Sequence, residues 1–425
     1  MIQSFHKIRQ VKGTLSFRGD KSISHRALLI SSLADGKSSI KNLSDSEDVK
    51  STINCLRTLG IEIESNGDEY IITGRGFKGY KKPLIQLNTG NSGTTARLLS
   101  GILSVQNFES TIVGDESLSL RPMQRVIEPL SKMGAKILNY NGCLPMNILP
   151  IQTLNPIDYR MPVPSAQVKS AILLAGLHSD KETSVSESFR TRNHTENLLG
   201  LRINIDKDRI ISTVSRINFP VPIDYYIPGD ISSAMYFIVL ALLTKNSELL
   251  IENVSLNSTR IESLNLFKRM GGDIQIKVKG SSNHEKYGDI LVHSSELKNV
   301  VIEKNIIPLI IDEIPILAIA GIYADGAFEI RGATELRVKE SDRIQAICKN
   351  LLKSGCYFEE YDDGFNVSGT ISKVTGPFNS FGDHRIAMAF AILSSLMENG
   401  GAVENFKMAA ISNPNFIEQL ISVAN

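Results

Sequence analysis

One short pattern occurs six times along this chain, and any fold must accommodate all six copies. In each, an apolar strand-like run stops at a small or acidic turn residue, and a mostly apolar helix-like run follows. The copies are FRGDKSISHRALLI (17–30), LNTGNSGTTARLL (87–99), MPVPSAQVKSAILLA (161–175), IPGDISSAMYFIVLA (227–241), LIIDEIPILAIAG (309–321) and FGDHRIAMAFAIL (381–393). Measured between Asp20, Asn91, Ser165, Asp230, Asp312 and Asp383, the steps are 71, 74, 65, 82 and 71 residues. Spacing this even marks six copies of one supersecondary unit.

A second element lies between the junctions. NCLRTLG-IEIE, PLSKMG-AKIL, NLLG-LRINI, LFKRMGG-DIQI and NLLKSG-CYFE each read as an amphipathic helix that ends at glycine and leads into a strand. Glycine suits a left-handed C-terminal cap, and the alternation after it suits a half-buried strand. Each repeat is therefore strand, buried helix, strand, amphipathic helix, strands. The sixth copy lacks its continuation because the sequence ends at Asn425, and residues 1–20 are available to complete it.

At 425 residues the chain exceeds one core, and three repeats in each of two domains is the natural division. Apolar residues make up 42%, enough for two cores, and the net charge of +1 offers no pull towards nucleic acid or a membrane surface. The N-terminal MIQSFHKIRQVKG has neither the apolar stretch of a signal peptide nor transit-peptide character. The four cysteines (Cys55, Cys143, Cys348, Cys356) follow no metal or redox spacing and lie outside the charged junctions. A cytoplasmic protein with reduced thiols is expected.

The chemistry gathers at the junctions. A helix start offers unpaired amides and a positive dipole end, and the first junction adds Lys21, Ser22, Ser24 and Arg26. TGNSGTT, followed by Arg97, reads either as an anion cradle or as a tight turn; it lacks the Gly-Lys-Ser/Thr ending of a P-loop. Arg121 stands before Pro122, which is expected to open a helix; Arg190, Arg192 and His194 start another. Arg337, Lys339, Glu340, Asp342 and Arg343 cluster in ELRVKESDR, followed later by His384, Arg385 and Lys407. Singly, each is explained as a solvated charge. Recurring at equivalent turns of a near-neutral chain, they point to strongly anionic ligands. Asp312, inside an apolar run, is either the cap of its helix or an acid placed for proton transfer.

Nine motifs, DKSISHRALL, TGNSGTTARLLSG, LRPM, SAQVKSAILLAGL, RNHTE, PGDISSA, IDEIPILA, VKESDRI and GDHRIAM, resemble in order and spacing those of the 5-enolpyruvylshikimate-3-phosphate synthase family. The resemblance runs from about residue 10 to residue 420. It implies an α/β fold, the two-domain inside-out α/β barrel of enolpyruvyl transferases, with six βαβαββ repeats, helices inside and sheets outside. The domains would be 21–227 and 1–20 plus 228–425, with the active site in the cleft between them. It implies transfer of the enolpyruvyl group of phosphoenolpyruvate to the 5-hydroxyl of shikimate 3-phosphate, with release of phosphate and no cofactor or metal. A monomer that closes around its substrates is the expected form.

Residue by residue, the resemblance gives Lys21, Ser22, Arg26, Ser165, Gln167, Asp312 and Lys339 to shikimate 3-phosphate. It gives Lys21, Asn91, Gly93, Arg121, Gln167, Arg343, His384, Arg385 and Lys407 to phosphoenolpyruvate. Asp312 would be the base on the 5-hydroxyl, Glu340 the acid at the methylene carbon, and Lys21 a further catalytic group. Ala166, Thr191, His194 and Glu335 depart from one common form of the pattern and receive no role. The sister transferase acting on UDP-N-acetylglucosamine usually carries a cysteine in the loop matching 114–122, which here is GDESLSLRP. A non-catalytic phosphometabolite-binding repeat protein is the other alternative, and the two acids among the cations argue against it.

Overall fold

A computed structural model describes residues 2–76, 78–369, 371 and 374–424 of the chain. It divides into two compact units: an N-terminal one of Arg18–Pro228 with Ser281–Glu285, and a C-terminal one formed by residues up to Phe17, Gly229–Gly280 and residues from Lys286 onward. Each has its own apolar core.

The six junction helices are α1 (Lys21–Leu33), α2 (Gly93–Leu103), α3 (Ala166–Gly176), α4 (Ile231–Leu243), α5 (Ile314–Tyr323) and α6 (His384–Leu396). They are apolar nearly all round and buried nearly throughout, as such helices must be. The first three pack in the N-terminal unit and the last three against one another in the C-terminal unit. The α2–α3 approach is close: a Cβ added at Gly101 would lie 2.3 Å from the Ala171 carbonyl oxygen.

Sheets cover these helices, and all three in the N-terminal unit share one plan. In the second repeat Leu87–Asn88 leads into α2, Ser110–Val113 returns parallel to it, and the hairpin Lys136–Tyr140/Cys143–Leu149 adds two antiparallel strands. The third repeat does the same with Asp158–Arg160, Thr183–Glu187, Arg209–Val214 and Ile203–Asp206. In the first repeat the leading strand comes from elsewhere: Tyr225–Tyr226 pairs parallel with Asp35–Lys41. The C-terminal unit borrows likewise, since Lys12–Ser16 pairs parallel with Glu248–Ser255. Its sixth repeat, the parallel pair Phe378–Asn379 and Gly401–Glu404, takes Ile2–Phe5 as its antiparallel strand. The N-terminal segment thus supplies what the end of the chain lacks.

The amphipathic helices end where glycine was expected to end them. Gly60, Gly134, Gly200, Gly271 and Gly355 all have positive φ, between 61° and 101°, which a Cβ would strain. One expectation shifts. Pro122 does not open its helix, which runs Gln124–Lys132 with Met123 at the N-cap position. Among the described residues, no single helix is long and apolar enough to cross a membrane.

Candidate active site

Cap chemistry aims the helix starts. Asp20 Oδ1 accepts from the Ile23 amide at 3.0 Å, Ser92 Oγ from Thr95 at 3.1 Å, and Ser165 Oγ from Val168 at 3.4 Å. Asp230 Oδ1 caps α4, and Asp383 Oδ1 accepts from the Arg385 amide at 2.8 Å. In two junctions the cap falls one residue later than the pattern suggests. Ser92 rather than Asn91 caps α2, and Glu313 rather than Asp312 holds the N-cap position of α5. Asn91 and Asp312 are thereby released for other contacts.

In the N-terminal unit, Arg26 is buried and donates to the Ser22 carbonyl (2.9 Å), Thr195 Oγ1 (2.8 Å) and Ser170 Oγ (2.9 Å). Burial depresses its guanidinium to about 10, although Glu196 opposes the shift. Ser22 Oγ accepts from Arg192 Nη1 at 3.2 Å, which ties Arg192 to the same knot. Lys21 Nζ lies 2.9 Å from Asp48 Oδ2. A second knot forms at the start of α2. Arg97 donates to Gln167 Oε1 at 2.8 Å and to the Pro122 carbonyl at 3.0 Å, while Gln167 Nε2 donates to Thr94 Oγ1 at 3.0 Å. Gly93 is the floor: a Cβ there would stand 2.7 Å from Arg97 Nη1 and 3.2 Å from Arg121 Nη1. Asn91 donates to Asp115 Oδ2 at 2.8 Å.

The C-terminal unit gathers acids with its cations. Arg343 is buried and donates to Asp383 Oδ2 (2.7 Å), Glu340 Oε2 (2.6 Å) and Asp312 Oδ1 (3.2 Å). Burial alone would lower its guanidinium, but Asp383, Glu340 and Asp312 outweigh that and hold it above its ordinary value. Arg385 donates to the Asp312 carbonyl at 3.0 Å, and its Nη2 lies 3.4 Å from Asp312 Oδ2. Lys339 Nζ approaches Asp312 at 3.9 Å. His384 is buried in the first turn of α6.

The structure joins Asp312, Lys339, Glu340, Arg343 and Arg385 into one network. Lys407 is exposed on the 3₁₀ helix Phe406–Ile411, and no hydrogen bond or ion pair among the described residues joins it to that network. Arg337 belongs elsewhere: it donates to Asp342, Glu360, and the carbonyls of Tyr361 and Asp362. Thr191 and His194, given no role, turn to buried acids: Thr191 Oγ1 donates to Glu187 Oε2 at 2.6 Å, and His194 Nδ1 lies 2.8 Å from Glu285 Oε1.

Arg97 and Arg192, read from sequence only as charges, prove to be built into the knots. The clue for Arg97 was its place one turn beyond Gly93 on the same helix face. For Asp48 and Asp383, the acids that hold Lys21 and Arg343, the sequence held no signal of pairing. Cys143 also moves closer than expected, its Sγ 3.9 Å from the Leu120 carbonyl beside Arg121.

Buried helices whose starts gather cations, wrapped by repeated four- and three-stranded sheets, define an enolpyruvyl transferase fold. The enolpyruvyl transferase NikO from Streptomyces tendae shares it, with a TM-score of 0.75 at 16% identity over 100% of this chain and 97% of that one. Closer likeness narrows the family. An EPSP synthase structure from Acinetobacter baumannii matches with a TM-score of 0.85 and 36% identity, covering 100% of this chain and 98% of that one. The 3-phosphoshikimate 1-carboxyvinyltransferase of Petrotoga mobilis is 47% identical over 416 residues, 96% of each chain, and that of Salinibacter ruber is 41% identical over the full length of both. The profile of EPSP synthase (3-phosphoshikimate 1-carboxyvinyltransferase) matches residues 5–420. The chain belongs to the EPSP synthase family.

Proposed function

We propose that this chain transfers the enolpyruvyl group of phosphoenolpyruvate to the 5-hydroxyl of shikimate 3-phosphate and releases phosphate. The observation that carries this reading is the placement of two carboxylates, Asp312 and Glu340, on one guanidinium, Arg343, at 3.2 and 2.6 Å. A protein that only captured anions would gain nothing from acids there, because they repel the ligand.

Both substrates carry a phosphate, each about −1.5 to −2 at pH 7, and a carboxylate. Lys21, Ser22, Arg26, Ser165, Gln167, Asp312 and Lys339 are proposed to hold shikimate 3-phosphate. Lys21, Asn91, Gly93, Arg121, Gln167, Arg343, His384, Arg385 and Lys407 are proposed for phosphoenolpyruvate. Arginine suits this task because its planar fork meets phosphate and carboxylate oxygens in pairs. Asp312 takes the proton of the 5-hydroxyl as its oxygen bonds to C2 of phosphoenolpyruvate, and Glu340 delivers a proton to the methylene carbon. Loss of a proton from the resulting methyl group and departure of phosphate restore the double bond. Lys21 assists these transfers. Acid–base groups of this kind contribute about 10²–10⁴-fold each. None of these steps calls for a metal or an organic cofactor.

The protein is proposed to act as a cytoplasmic monomer, to be checked by light scattering during gel filtration. The activity is tested by phosphate release. Release is expected when phosphoenolpyruvate is mixed with shikimate 3-phosphate, and none with UDP-N-acetylglucosamine. The opposite pattern would assign the chain to the sister reaction, and no release with either would leave a binding protein.

A further inference from the structure

Behind the Arg26 knot lies a group of charges that the mechanism does not use. Lys169, Glu187 and Glu196 are each at most 2% exposed, and Lys169 Nζ lies 2.8 Å from a carboxylate oxygen of each acid. Such a cluster is a poor source of stability, since apolar side chains of similar volume do as well. Its connections are more telling.

Two chains of contacts run from it to the cations of the anion site. Glu187 accepts from the Thr191 amide at 3.2 Å and from Thr191 Oγ1 at 2.6 Å, and the next residue, Arg192, donates to Ser22 Oγ. Beside Glu196, Thr195 Oγ1 donates to Ser170 Oγ at 2.7 Å; Ser170 follows Lys169 in α3, and both hydroxyls accept from Arg26. Lys169 pairs with both acids, and Glu196, with Asp20 and Glu285, opposes the depression of Arg26 from a distance, while Arg192 adds to it. Arg26 is therefore compensated by acids that do not bond to it, and its own contacts are neutral oxygens. An arriving anion need not displace a carboxylate to reach it.

We propose that Lys169 is a positioning residue for the phosphorylated acceptor: paired with Glu187 and Glu196, it keeps Ser22, Arg26 and Arg192 arranged for an anion while leaving Arg26 free of any carboxylate bond. The inference rests on the reading of the reaction given above and adds a specificity device to it. Without Lys169 the two acids lose their ion-pair partner, and Arg26, which Glu196 already influences, is drawn towards them.

Steady-state kinetics with separate saturation of the two substrates tests this. Lys169→Met is expected to raise the KM for shikimate 3-phosphate about tenfold or more, with kcat and the KM for phosphoenolpyruvate within about threefold of wild type. Lys169→Met/Glu187→Gln restores the charge balance and should recover at least about threefold of that loss, which a purely structural role would not do. Thr191→Val, a milder change should Lys169→Met fail to fold, removes one link and should raise the same KM about threefold. A folded Lys169→Met or Thr191→Val whose KM for shikimate 3-phosphate stays within twofold overturns the proposal, as does a double variant no better than the single. Wild-type protein that releases no phosphate from the two substrates instead overturns the reaction on which the proposal stands.

Discussion

Arg26, in the second turn of α1 in the N-terminal unit, and Arg343, the first residue of the helix Arg343–Ser354 in the C-terminal unit, are both buried guanidinium groups, yet their surroundings push them in opposite directions. Arg26 touches one carbonyl and two hydroxyls and is depressed to about 10 by burial. Arg343 touches three carboxylates and is held above its ordinary value despite burial. The difference separates two tasks. A cation among neutral dipoles keeps its field for an incoming anion. A cation already paired with acids orients those acids, and any anion it binds must first compete with them. On the proposed reading Arg26 serves capture alone, whereas Arg343 both receives phosphoenolpyruvate and orients the acids that move protons.

That division is broken most directly by removing the acids. Asp312→Asn and Glu340→Gln should each lower kcat by about 10²-fold or more while changing the KM for shikimate 3-phosphate by only a few-fold. Turnover near wild type in both would return the acids to a structural role. The capture side answers in the other parameter. Gly93→Ala places a methyl group 2.7 Å from Arg97 Nη1, and the displaced guanidinium should raise the KM for phosphoenolpyruvate roughly tenfold with a smaller effect on kcat. If Gly93→Ala lowers kcat alone, the split between capture and chemistry is misdrawn.

Acidification sharpens the comparison, because the N-terminal unit buries two histidines held below their ordinary range. Burial, aided by Arg216 and Lys78, pushes His178 down to about 3, and burial with Lys21 and Arg26 keeps His25 well below 6.5. A depressed histidine leaves the unfolded chain binding the extra proton, so its contribution to stability is whole above pH 6.5 and is lost as pH falls below it. His178 alone should cost roughly 2 kcal/mol by pH 5. Hydrogen exchange at pH 7 and pH 5 should show amides of the N-terminal unit losing protection first, and His178→Leu should flatten the trend. Equal loss in both units would show that these histidines do not govern it. The smallest effect expected is that of Cys143→Ser: despite the nearness of Cys143 to Leu120, turnover should stay within about twofold, since the proposed steps use no thiolate. A folded variant without turnover would bring back the UDP-sugar reading.

Much of the architecture was written locally. The six steps, the apolar helices and the terminal glycines were all visible, because helix burial, capping and left-handed turns depend on residues within about four positions of one another. The completion of the sixth repeat by Ile2–Phe5 was legible as a need, though not as a register. The cations of the site were likewise visible as a set, at equivalent turns, and the resemblance to a family assigned them to substrates.

What the tertiary structure alone decided is which acid answers which base. Nothing near Arg26 in sequence announces Thr195, 169 residues away, nor does the junction at Arg343 announce Asp383, 40 residues on. The run ELRVKESDR presents Arg337 and Arg343 as equals, yet the fold spends one on Glu360 and its neighbours and sets the other between the acids of the site. Local sequence determines where a charge can stand, because caps and periodicity act over one turn of helix. Its partners, and through them whether it captures an anion or orients a proton donor, follow from distances that exist only once the helices have packed.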